Sequence, residues 1–370
     1  MNSFKVTHLT SAHPRFDTRI FIKMCTSLAT QNYAVSLIVA DGLGDEFKNG
    51  VNIIDVGAKS GGRLSRMTKT VRRVYDKALE LDADIYHLHD PELIPIGLKL
   101  KTRGKKVIFD AHEDLPKQLL GKPYLNLITK QILSKASALY ENWACPKFDA
   151  IITATPFIRD KFLSINSNTV DINNFPLLEE LANTGDWSKK HDSVVYVGGI
   201  AKIRGIEQIV QAMDLIHNVQ LNLAGKFSEK DIEADVKKQN GWSKVNELGF
   251  LNRQDVSAVL AQSKVGLVTL HSVINFIDAL PVKMFEYMAA GIPVIASNFP
   301  LWQEIVEGNQ CGLCVDPLDP HAIAKAIEYL IDHSDEAEQM GKNGRLAVEE
   351  KYNWVIEEQK LFKLYQGLLN

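Results

Sequence analysis

The stretch from Phe276 to Pro300 constrains the fold most, because an acidic loop, a helix and a buried strand follow one another within it. Residues 282–290 place apolar side chains at helical spacing, and Pro281 suits the position just ahead of the first turn, where a missing N–H costs nothing. Gly291 ends the helix, and the apolar run 294–296 is typical of a buried parallel strand. This order of elements predicts an α/β sheet.

Two acids, Asp278 and Glu286, flank the start of this helix, with seven residues between them. Open parallel sheets bind ligands at the carboxyl ends of their strands, and the N–H groups of a helix start attract phosphate. We therefore interpret both acids as candidate ligand-binding residues. The alternative is a solvated acid pair on a surface turn, because most carboxylates are exposed.

Strands alternate with helices throughout the 370 residues, a length that suits two domains with separate cores. Residues 1–176 predict one doubly wound Rossmann-like domain and residues 193–353 a second one. Residues 177–192 are polar and break the periodicity, so they predict a linker.

The second half opens with an apolar strand and a glycine loop, Gly198-Gly199, which leads to Lys202 and Arg204. Such a loop lets the backbone approach a diphosphate, while a helix N-terminus and nearby cations balance the charge. Lys283 in the central stretch is a further candidate cation. The dinucleotide fingerprint G-x-G-x-x-G is absent.

The central stretch resembles the donor-site signature of family 4 glycosyltransferases, which have the GT-B fold and retain anomeric configuration. The signature is an acid, seven residues, a glutamate, a small-residue run and Gly-x-Pro-Val. It is matched here by Asp278, Glu286, Ala289-Ala290-Gly291 and Pro293-Val294, although the family's first acid is usually glutamate. The resemblance implies two Rossmann-like domains that face one another across a cleft, with helix 354–370 crossing back to complete the first.

The resemblance also implies roles for single residues. Glu286 would hold the ribose hydroxyls of a nucleotide, and Asp278 would contact the donor sugar. His112 matches the histidine that reaches the donor sugar, so the candidate catalytic residues are His112, Asp278 and Glu286. The candidate donor and phosphate ligands are Gly198, Gly199, Lys202, Arg204, Gly225, Leu251 and Lys283.

Two cations usually bind phosphate in the family, an arginine after the first glycine and a lysine before the last. Gly199 stands in place of the arginine and Arg204 in place of the lysine, so Lys202 or Lys283 is the candidate for the second cation. Enzymes with this fold generally need no metal. We therefore expect a nucleotide-diphosphate sugar as the donor, without a metal or another cofactor.

A polar loop, residues 11–19, follows the first predicted strand and carries Arg15, Asp17 and Arg19. We interpret these three residues as an acceptor-side loop at the carboxyl edge of the first sheet. The alternative is a helix start capped by a polar side chain, with solvated charges around it.

The spacing His87-Leu-His89-Asp90 raises the question of a metal site. Alternation along a strand is the favoured interpretation, and only a third or fourth ligand close in space would support a metal.

Residues 61–81 predict a basic amphipathic helix that carries Arg63, Arg66, Arg72 and Arg73. Such a helix can contact an anionic membrane or a phosphorylated acceptor, or it can be an ordinary solvated face. The net charge of −3 argues against nucleic acid as the main partner. No leader or membrane-spanning run is recognised, so we expect a cytoplasmic protein, or a peripheral one on the inner face of the membrane.

Together with these features, the resemblance predicts a retaining glycosyltransferase that acts on a lipid-linked saccharide acceptor in the assembly of bacterial surface polysaccharide or O-antigen. Two alternatives stay open. One is a nucleotide-sugar epimerase or hydrolase of the same fold. The other is a non-catalytic nucleotide-sugar binding subunit, which the glycine at 199 and the shortened acid at 278 would suit.

Overall fold

The structure, a computed structural model, describes residues 3–59, 61–122, 125–181 and 183–369. The side chain of Arg63 lies outside the described residues, and so does the prediction made for it. The chain divides into two units, one of residues 1–174 with 355–370 and one of residues 175–354.

The first unit contains a sheet of eight strands: β1 (Lys5–Leu9), β2 (Ala34–Val39), β3 (Glu46–Lys48), β4 (Val51–Asp55), β5 (Ile85–Leu88), β6 (Lys106–Ala111), β7 (Ala150–Thr153) and β8 (Thr169–Asp171). Their order is β3-β4-β2-β1-β5-β6-β7-β8. All neighbouring strands are parallel except β3, which runs antiparallel to β4.

The helices of this unit, apart from one at the end of the chain, are α1 (Thr26–Thr30), α2 (Arg63–Ser65), α3 (Val71–Leu81), α4 (Ile94–Lys101), α5 (Leu115–Leu120), α6 (Leu127–Ala144) and α7 (Pro156–Leu163). A π-helical segment, Thr18–Cys25, leads into α1, and a second one, Arg66–Thr70, joins α2 to α3. All four residues of β5 are buried, because the central strands of a parallel sheet are covered on both faces. The predicted α/β architecture is confirmed, whereas the short β3–β4 pair was not predicted.

The second unit contains a wholly parallel sheet of six strands: β9 (His191–Val197), β10 (Gln220–Ala224), β11 (Val245–Gly249), β12 (Ser263–Val268), β13 (Val294–Ser297) and β14 (Gly312–Val315). Their order is β11-β10-β9-β12-β13-β14. Its helices are α8 (Ile206–Leu215), α9 (Lys230–Val236), α10 (Arg253–Gln262), α11 (Val282–Ala289), α12 (Pro300–Val306), α13 (Pro320–Asp332) and α14 (Ser334–Glu350).

Alternating side chains of β9 enter two different hydrophobic clusters. Val194 and Tyr196 pack with α8 and α13, while Val195 packs with α11 and α12. A sheet with a core on each face is the doubly wound arrangement that the alternation of strands and helices predicts.

The central stretch forms the predicted elements, helix α11 followed by strand β13. Every side chain from Lys283 to Ala289 is buried, so α11 lies inside the unit rather than on its surface. Charged side chains on a buried helix are costly unless they find a partner or lose their charge. Lys283 and Glu286, the charged side chains of α11, are therefore the residues whose burial needs an explanation.

The residues predicted as a linker, 177–192, form two 3₁₀ turns, Leu178–Leu181 and Trp187–Lys189. Leu181 is buried and Trp187 is partly buried against the cores of the second unit. These residues therefore pack as part of that unit.

Helix α15 (Trp354–Leu369) returns to the first unit. Glu357 accepts hydrogen bonds from the Asn173 N–H at 2.8 Å and from the Asn173 side chain at 3.2 Å. Deeper in the unit, the Tyr365 hydroxyl is hydrogen-bonded to His87 Nδ1 at 2.8 Å, and both side chains are fully buried. In the described part of the chain, no helix combines the length and the apolar composition that crossing a bilayer requires.

Tyr365→Phe should destabilise the first unit by about 1–3 kcal/mol, because His87 would lose the partner of its Nδ1 inside the core. His87 Nε2 already has no hydrogen-bond partner among the described residues. Hydrogen exchange of the first unit's strands measures the change. The matched control is Tyr329→Phe, a change at the surface of the second unit. It should alter the free energy of unfolding by less than about 0.5 kcal/mol. Equal effects of the two changes would contradict the role given to the buried hydroxyl.

Candidate active site

A glycine loop follows β9 at the carboxyl edge of the second sheet, as predicted. Gly198 has a φ of +124°, and its N–H donates to the Ala224 carbonyl at 2.9 Å. The Tyr196 hydroxyl donates to the Gly199 carbonyl at 2.9 Å. The backbone of the loop is thus fixed, and its glycines leave room for a ligand to approach.

Gly225, directly after β10, must be glycine because of a close backbone approach. A Cβ atom there would lie 1.8 Å from the Gly198 carbonyl oxygen. The Gly225 N–H donates to the Gly249 carbonyl at 2.7 Å. The ends of three neighbouring strands therefore touch one another along this edge.

Lys283 brings a buried ammonium group to the glycine loop. Its Nζ lies 3.6 Å from the centroid of the Tyr196 ring, and it has no hydrogen-bond partner among the described residues. A Cβ atom on Gly198 would lie only 3.2 Å from Nζ. Burial, together with repulsion from Arg204, holds the pKa of Lys283 well below its ordinary value, despite the opposing effect of Glu286.

Arg204 is the second cation at the loop. Its Nη1 donates to the Gly199 carbonyl at 3.3 Å, and a Cβ atom on Gly198 would lie 3.8 Å from this nitrogen. Two cations thus converge on the same glycines. We name Tyr196, Gly198, Gly199, Arg204 and Lys283 the glycine cradle.

The other predicted donor ligands are placed differently. Lys202 is more than half exposed, and its ammonium forms an ion pair with Glu207 at 3.2 Å. Leu251 packs partly buried against one of the two cores, and Asp278 lies half-buried in the turn before α11. Of the two lysines proposed for phosphate, the structure places Lys283 in the cradle and pairs Lys202 with an acid.

Glu286 is buried on α11 and paired with an arginine that the sequence analysis did not single out. Arg253, the first residue of α10, donates from Nη1 to Glu286 Oε1 at 2.6 Å. It also donates to Glu180 Oε2 at 2.9 Å and 2.7 Å, from Nε and Nη2. Although burial alone would lower the pKa of Arg253, Glu286 and then Glu180 raise it. The only sequence signal for Arg253 is its position two residues after Leu251, a predicted donor ligand.

The three predicted acceptor-side residues do not form one cluster. Arg15 donates to Asp41 at 2.8 Å and 2.7 Å and to Glu46 at 3.0 Å. Asp17 caps the helix start, accepting from the N–H groups of Arg19 and Ile20. Its capping role is the alternative that the sequence analysis left open, although the same residue also bonds His13 at 3.1 Å.

Arg19 instead enters a buried cluster at the carboxyl edge of the first sheet. Its guanidinium donates to both oxygens of Asp110, at 3.0 Å and 2.8 Å, and to the Ile172 carbonyl at 2.6 Å. Burial raises the pKa of Asp110, but Arg19 and then His112 lower it by more, so it lies well below its usual range. The result is an ionised carboxylate held in one orientation.

Asp110 joins His112 to a chain of buried histidines. His112 Nε2 lies 3.1 Å from Asp110 Oδ2 and 3.4 Å from His89 Nδ1. His89 Nε2 is hydrogen-bonded to His8 Nδ1 at 2.8 Å, and His87 stacks on His89. We name His8, His87, His89, Asp110 and His112 the histidine cluster. His112 is the partly exposed member, so the predicted catalytic histidine lies at the surface of a buried polar network.

Two groups in this cluster have spacing that a metal ion would fit. The ligand atoms of His8, His87 and His89, and those of His89, Asp110 and His112, lie within 4.8 Å of one another. His8 was not predicted as a member of this group, because it lies on a strand that is distant in the sequence. Hydrogen bonds within the network, including the Asp110–Arg19 pair, engage most of these atoms, and the expectation of no metal stays a prediction.

The predicted basic helix is formed by α2, the π-helical segment Arg66–Thr70 and α3. Arg66 pairs with Glu92 at 2.7 Å, and Arg73 donates to the carbonyls of Val56 and Ala58 at 2.7 Å and 3.0 Å. Arg72 is largely exposed. Contact of this helix with a membrane stays a prediction, now with two of its arginines bonded within the protein.

Two family models match most of the chain. Residues 18–172 match the model described as Glycosyltransferase Family 4, and residues 179–347 match the one described as Glycosyl transferases group 1. The chain belongs to glycosyltransferase family 4.

Named relatives of this family 4 glycosyltransferase differ in how much of it they share. An uncharacterized glycosyltransferase of Methanocaldococcus jannaschii is 30% identical over 165 residues, which are 44% of this chain and 41% of that relative. The phosphatidyl-myo-inositol mannosyltransferase of Mycobacterium leprae is 22% identical over 316 residues, 83% of this chain and 79% of that protein. The chain thus matches less than half the length of the first and most of the second.

Solved structures confirm the GT-B fold of this family 4 glycosyltransferase. Sucrose-phosphate synthase from Thermosynechococcus elongatus has a TM-score of 0.79 at 20% identity and covers 99% of both chains. HepE from Anabaena, crystallised in complex with UDP, has a TM-score of 0.73 at 13% identity, over 98% of this chain and 100% of that one. At such identities the likeness shows the fold alone.

The buried histidines should make the stability of the first unit fall at acid pH. Burial is the main cause that lowers the pKa of His8 and His87 well below 6.5 and that of His89 to about 4. The unfolded chain binds protons below pH about 6.5, so stability is lost as pH falls from there toward 4, by about 3 kcal/mol for His89 alone. His13, whose pKa is raised, acts in the opposite direction at higher pH.

Hydrogen exchange of the first unit between pH 4.5 and 7 measures this loss, after correction for intrinsic exchange rates. His89→Gln should reduce the slope, because the side chain no longer titrates. His321→Gln, an exposed change in the second unit, should leave the slope of the first unit in place. A slope that is the same in all three proteins would contradict the assignment.

Proposed function

We propose that this chain is a retaining glycosyltransferase that moves a sugar from a nucleotide-diphosphate sugar to a lipid-linked saccharide acceptor, in polysaccharide or O-antigen assembly. The observation that carries the proposal is the buried ammonium of Lys283, which lies beside the Gly198 loop without a hydrogen-bond partner among the described residues. A buried, unpaired charge is costly, and an anion at the loop would remove that cost. A diphosphate fits a glycine loop with two converging cations.

The cradle also suits the chemistry of the leaving group. Negative charge grows on the diphosphate as the glycosidic bond breaks, and Lys283 and Arg204 would stabilise it, so that a metal ion need not do so. The proton of the attacking acceptor hydroxyl passes to an oxygen of the departing phosphate, which makes a protein base unnecessary. In this proposal the protein binds and polarises rather than forming a covalent bond.

Further residues of the two units would fix the rest of the donor. Glu286 would bind the ribose hydroxyls, and Arg253 would hold its carboxylate in position through the 2.6 Å bond. Asp278 and His112 would contact the sugar. The orientation of His112 would depend on Asp110, which Arg19 holds through two hydrogen bonds.

The relatives support the donor and the acceptor separately. HepE was crystallised in complex with UDP, which supports a nucleotide donor here. The name of the Mycobacterium leprae relative, phosphatidyl-myo-inositol mannosyltransferase, supports an acceptor carried on a lipid. An acceptor in a membrane would make the protein peripheral on the inner face of that membrane.

Incubation of the protein with a panel of nucleotide sugars, with and without lipid-diphosphate-linked saccharides, tests the proposal. Sugar transfer that requires the acceptor, with the anomeric configuration of the product read by NMR, is the expected result. Donor turnover without acceptor would favour an epimerase or hydrolase. Binding without turnover of any donor and acceptor pair would favour a non-catalytic subunit.

Replacing Lys283 should weaken nucleotide-diphosphate binding far more than replacing Lys202. Loss of a hydrogen bond to a charged group costs about 1.5–3 kcal/mol, so Lys283→Met should raise the Kd for UDP by roughly 10- to 100-fold. Lys202→Met should change it by less than about twofold, because that ammonium is exposed and paired with Glu207. Isothermal titration calorimetry measures both values.

The same titrations carry an internal control. The pKa of Lys283 is lowered in the free protein, and a bound diphosphate should raise it. Binding should therefore be accompanied by proton uptake. The affinity for UDP should increase as pH falls through the range between the pKa of Lys283 in the bound protein and its pKa in the free protein. Proton uptake is visible as a binding enthalpy that depends on the buffer. It should disappear in Lys283→Met and persist in Lys202→Met, and the reverse pattern would assign the phosphate cation to Lys202.

A further inference from the structure

Helix α6 exposes large apolar side chains on the surface of the first unit. Of its eighteen residues only Glu141 and Ala144 are buried. The most exposed apolar side chains are Leu127 at 77%, Ile128 at 73%, Leu139 at 69%, Ile132 at 61% and Trp143 at 57%. Isolated exposed apolar residues are ordinary, but such a concentration on one helix marks an interaction surface.

These side chains form one face. At 100° per residue, Ile128, Ile132, Leu139 and Trp143 fall within a sector of roughly 60°. We name these four residues, together with Lys135 among them, the α6 face. An apolar stripe this regular would normally point toward a core.

The side of α6 that faces the protein is polar, which inverts the usual arrangement. Ser134 and Ser137 are partly buried there. The buried carboxylate of Glu141 accepts a hydrogen bond from Lys161 Nζ at 2.7 Å. Because this bond satisfies a carboxylate that would otherwise be costly to bury, it fixes the rotation of the helix about its axis. The apolar stripe is thereby held toward solvent.

The exposed charges beside the stripe are positive. Residues 122–147 contain four lysines, and their one acid is the buried Glu141. Lys130 lies on the opposite side of the helix, whereas Lys135 and Lys147 are exposed at the stripe and at its end. Lys147 Nζ lies 3.2 Å from the centroid of the Trp143 ring, so a cation and an interfacial aromatic stand together at the end of the helix. Apolar side chains flanked by lysines match the surface of an anionic bilayer.

We propose that the α6 face is a docking surface for an anionic phospholipid membrane, with α6 lying along the lipid headgroups. This proposal rests on the proposed function in one respect: a lipid-linked acceptor explains why the protein would bind a membrane. A second copy of the chain fits the same face poorly, because a twofold axis through the middle of α6 would bring Lys135 against its own copy. The basic helix predicted from the sequence is the weaker site, because Arg66 and Arg73 are bonded within the protein.

Cosedimentation of the whole chain with vesicles tests the proposal. The wild-type protein should bind vesicles of phosphatidylglycerol and phosphatidylethanolamine, and bind less to phosphatidylcholine alone or at high salt. The double variant I132S/L139S should lose tenfold or more of this binding. Lys135→Glu should weaken binding to the phosphatidylglycerol vesicles more than to phosphatidylcholine.

Two matched controls locate the effect. Leu346→Ser replaces a leucine of α14 that is 53% exposed, in the other unit, and should bind vesicles like the wild type. Arg72→Glu changes the exposed arginine of α3, and it too should have little effect. Loss of binding in Arg72→Glu with retention in I132S/L139S would overturn the proposal in favour of the basic helix.

Other outcomes would also overturn it. One is no vesicle binding by the wild type. Another is a wild-type dimer in analytical ultracentrifugation that becomes monomeric in I132S/L139S, which would assign the face to a second copy. UDP affinity, measured without vesicles, reports on the glycine cradle alone and should be unchanged in the double variant. Failure of the donor assignment is thereby distinguishable from failure of the docking surface.

Discussion

Parallel pairing of the strands is the constraint on which the rest of this structure depends. When strands run in one direction, all their carboxyl ends meet at one edge of the sheet, and residues distant in the chain become neighbours. In the second unit this edge joins Gly198, Gly225 and Gly249 through backbone contacts. In the first unit it joins Arg19 to Asp110 across 91 positions of the sequence. Each set of candidate site residues therefore includes neighbours that topology, rather than a local motif, brings together.

The two units treat buried charge in opposite ways. In the first, Asp110 is matched by Arg19 and by His112, and this pairing keeps it ionised. In the second, Lys283 has no such partner among the described residues, and its lowered pKa is how the fold tolerates the burial. Two unit charges 4 Å apart interact by about 4 kcal/mol at an effective dielectric constant of 20. An interaction of this size would stabilise the Lys283 ammonium when an anionic ligand binds beside it.

The sequence predicted the elements that carry strong local patterns. The central helix and its strand were recognised from helical spacing, a glycine stop and an apolar run, and they form as α11 and β13. The β3–β4 pair was missed, because β3 has only three residues and lies mostly at the surface. Lys283 was one of two candidate cations, and only the fold separates it from Lys202, because it buries Lys283 beside the glycine loop and pairs Lys202 with Glu207.

Residues whose role depends on contacts between distant elements were beyond the reach of the sequence. Nothing local marks Arg253 as the partner of Glu286, or His8 as the neighbour of His89. The loop that carries Arg15 and Arg19 was treated as one group, yet the two guanidiniums bond acids on different strands and loops. The apolar stripe of α6 was not predicted from the sequence, and its outward rotation is fixed by Glu141 and Lys161, which only the fold brings together.

The return of α15 has a consequence for how the chain is made. Tyr365 and Glu357 complete the core of the first unit, although residues 175–354 of the second unit are synthesised in between. At about 5–20 residues per second, the ribosome needs roughly 10 to 40 seconds to produce that intervening length. During this interval the buried face around His87 lacks its cover, so the nascent first unit must wait, incompletely packed, for the last helix to emerge.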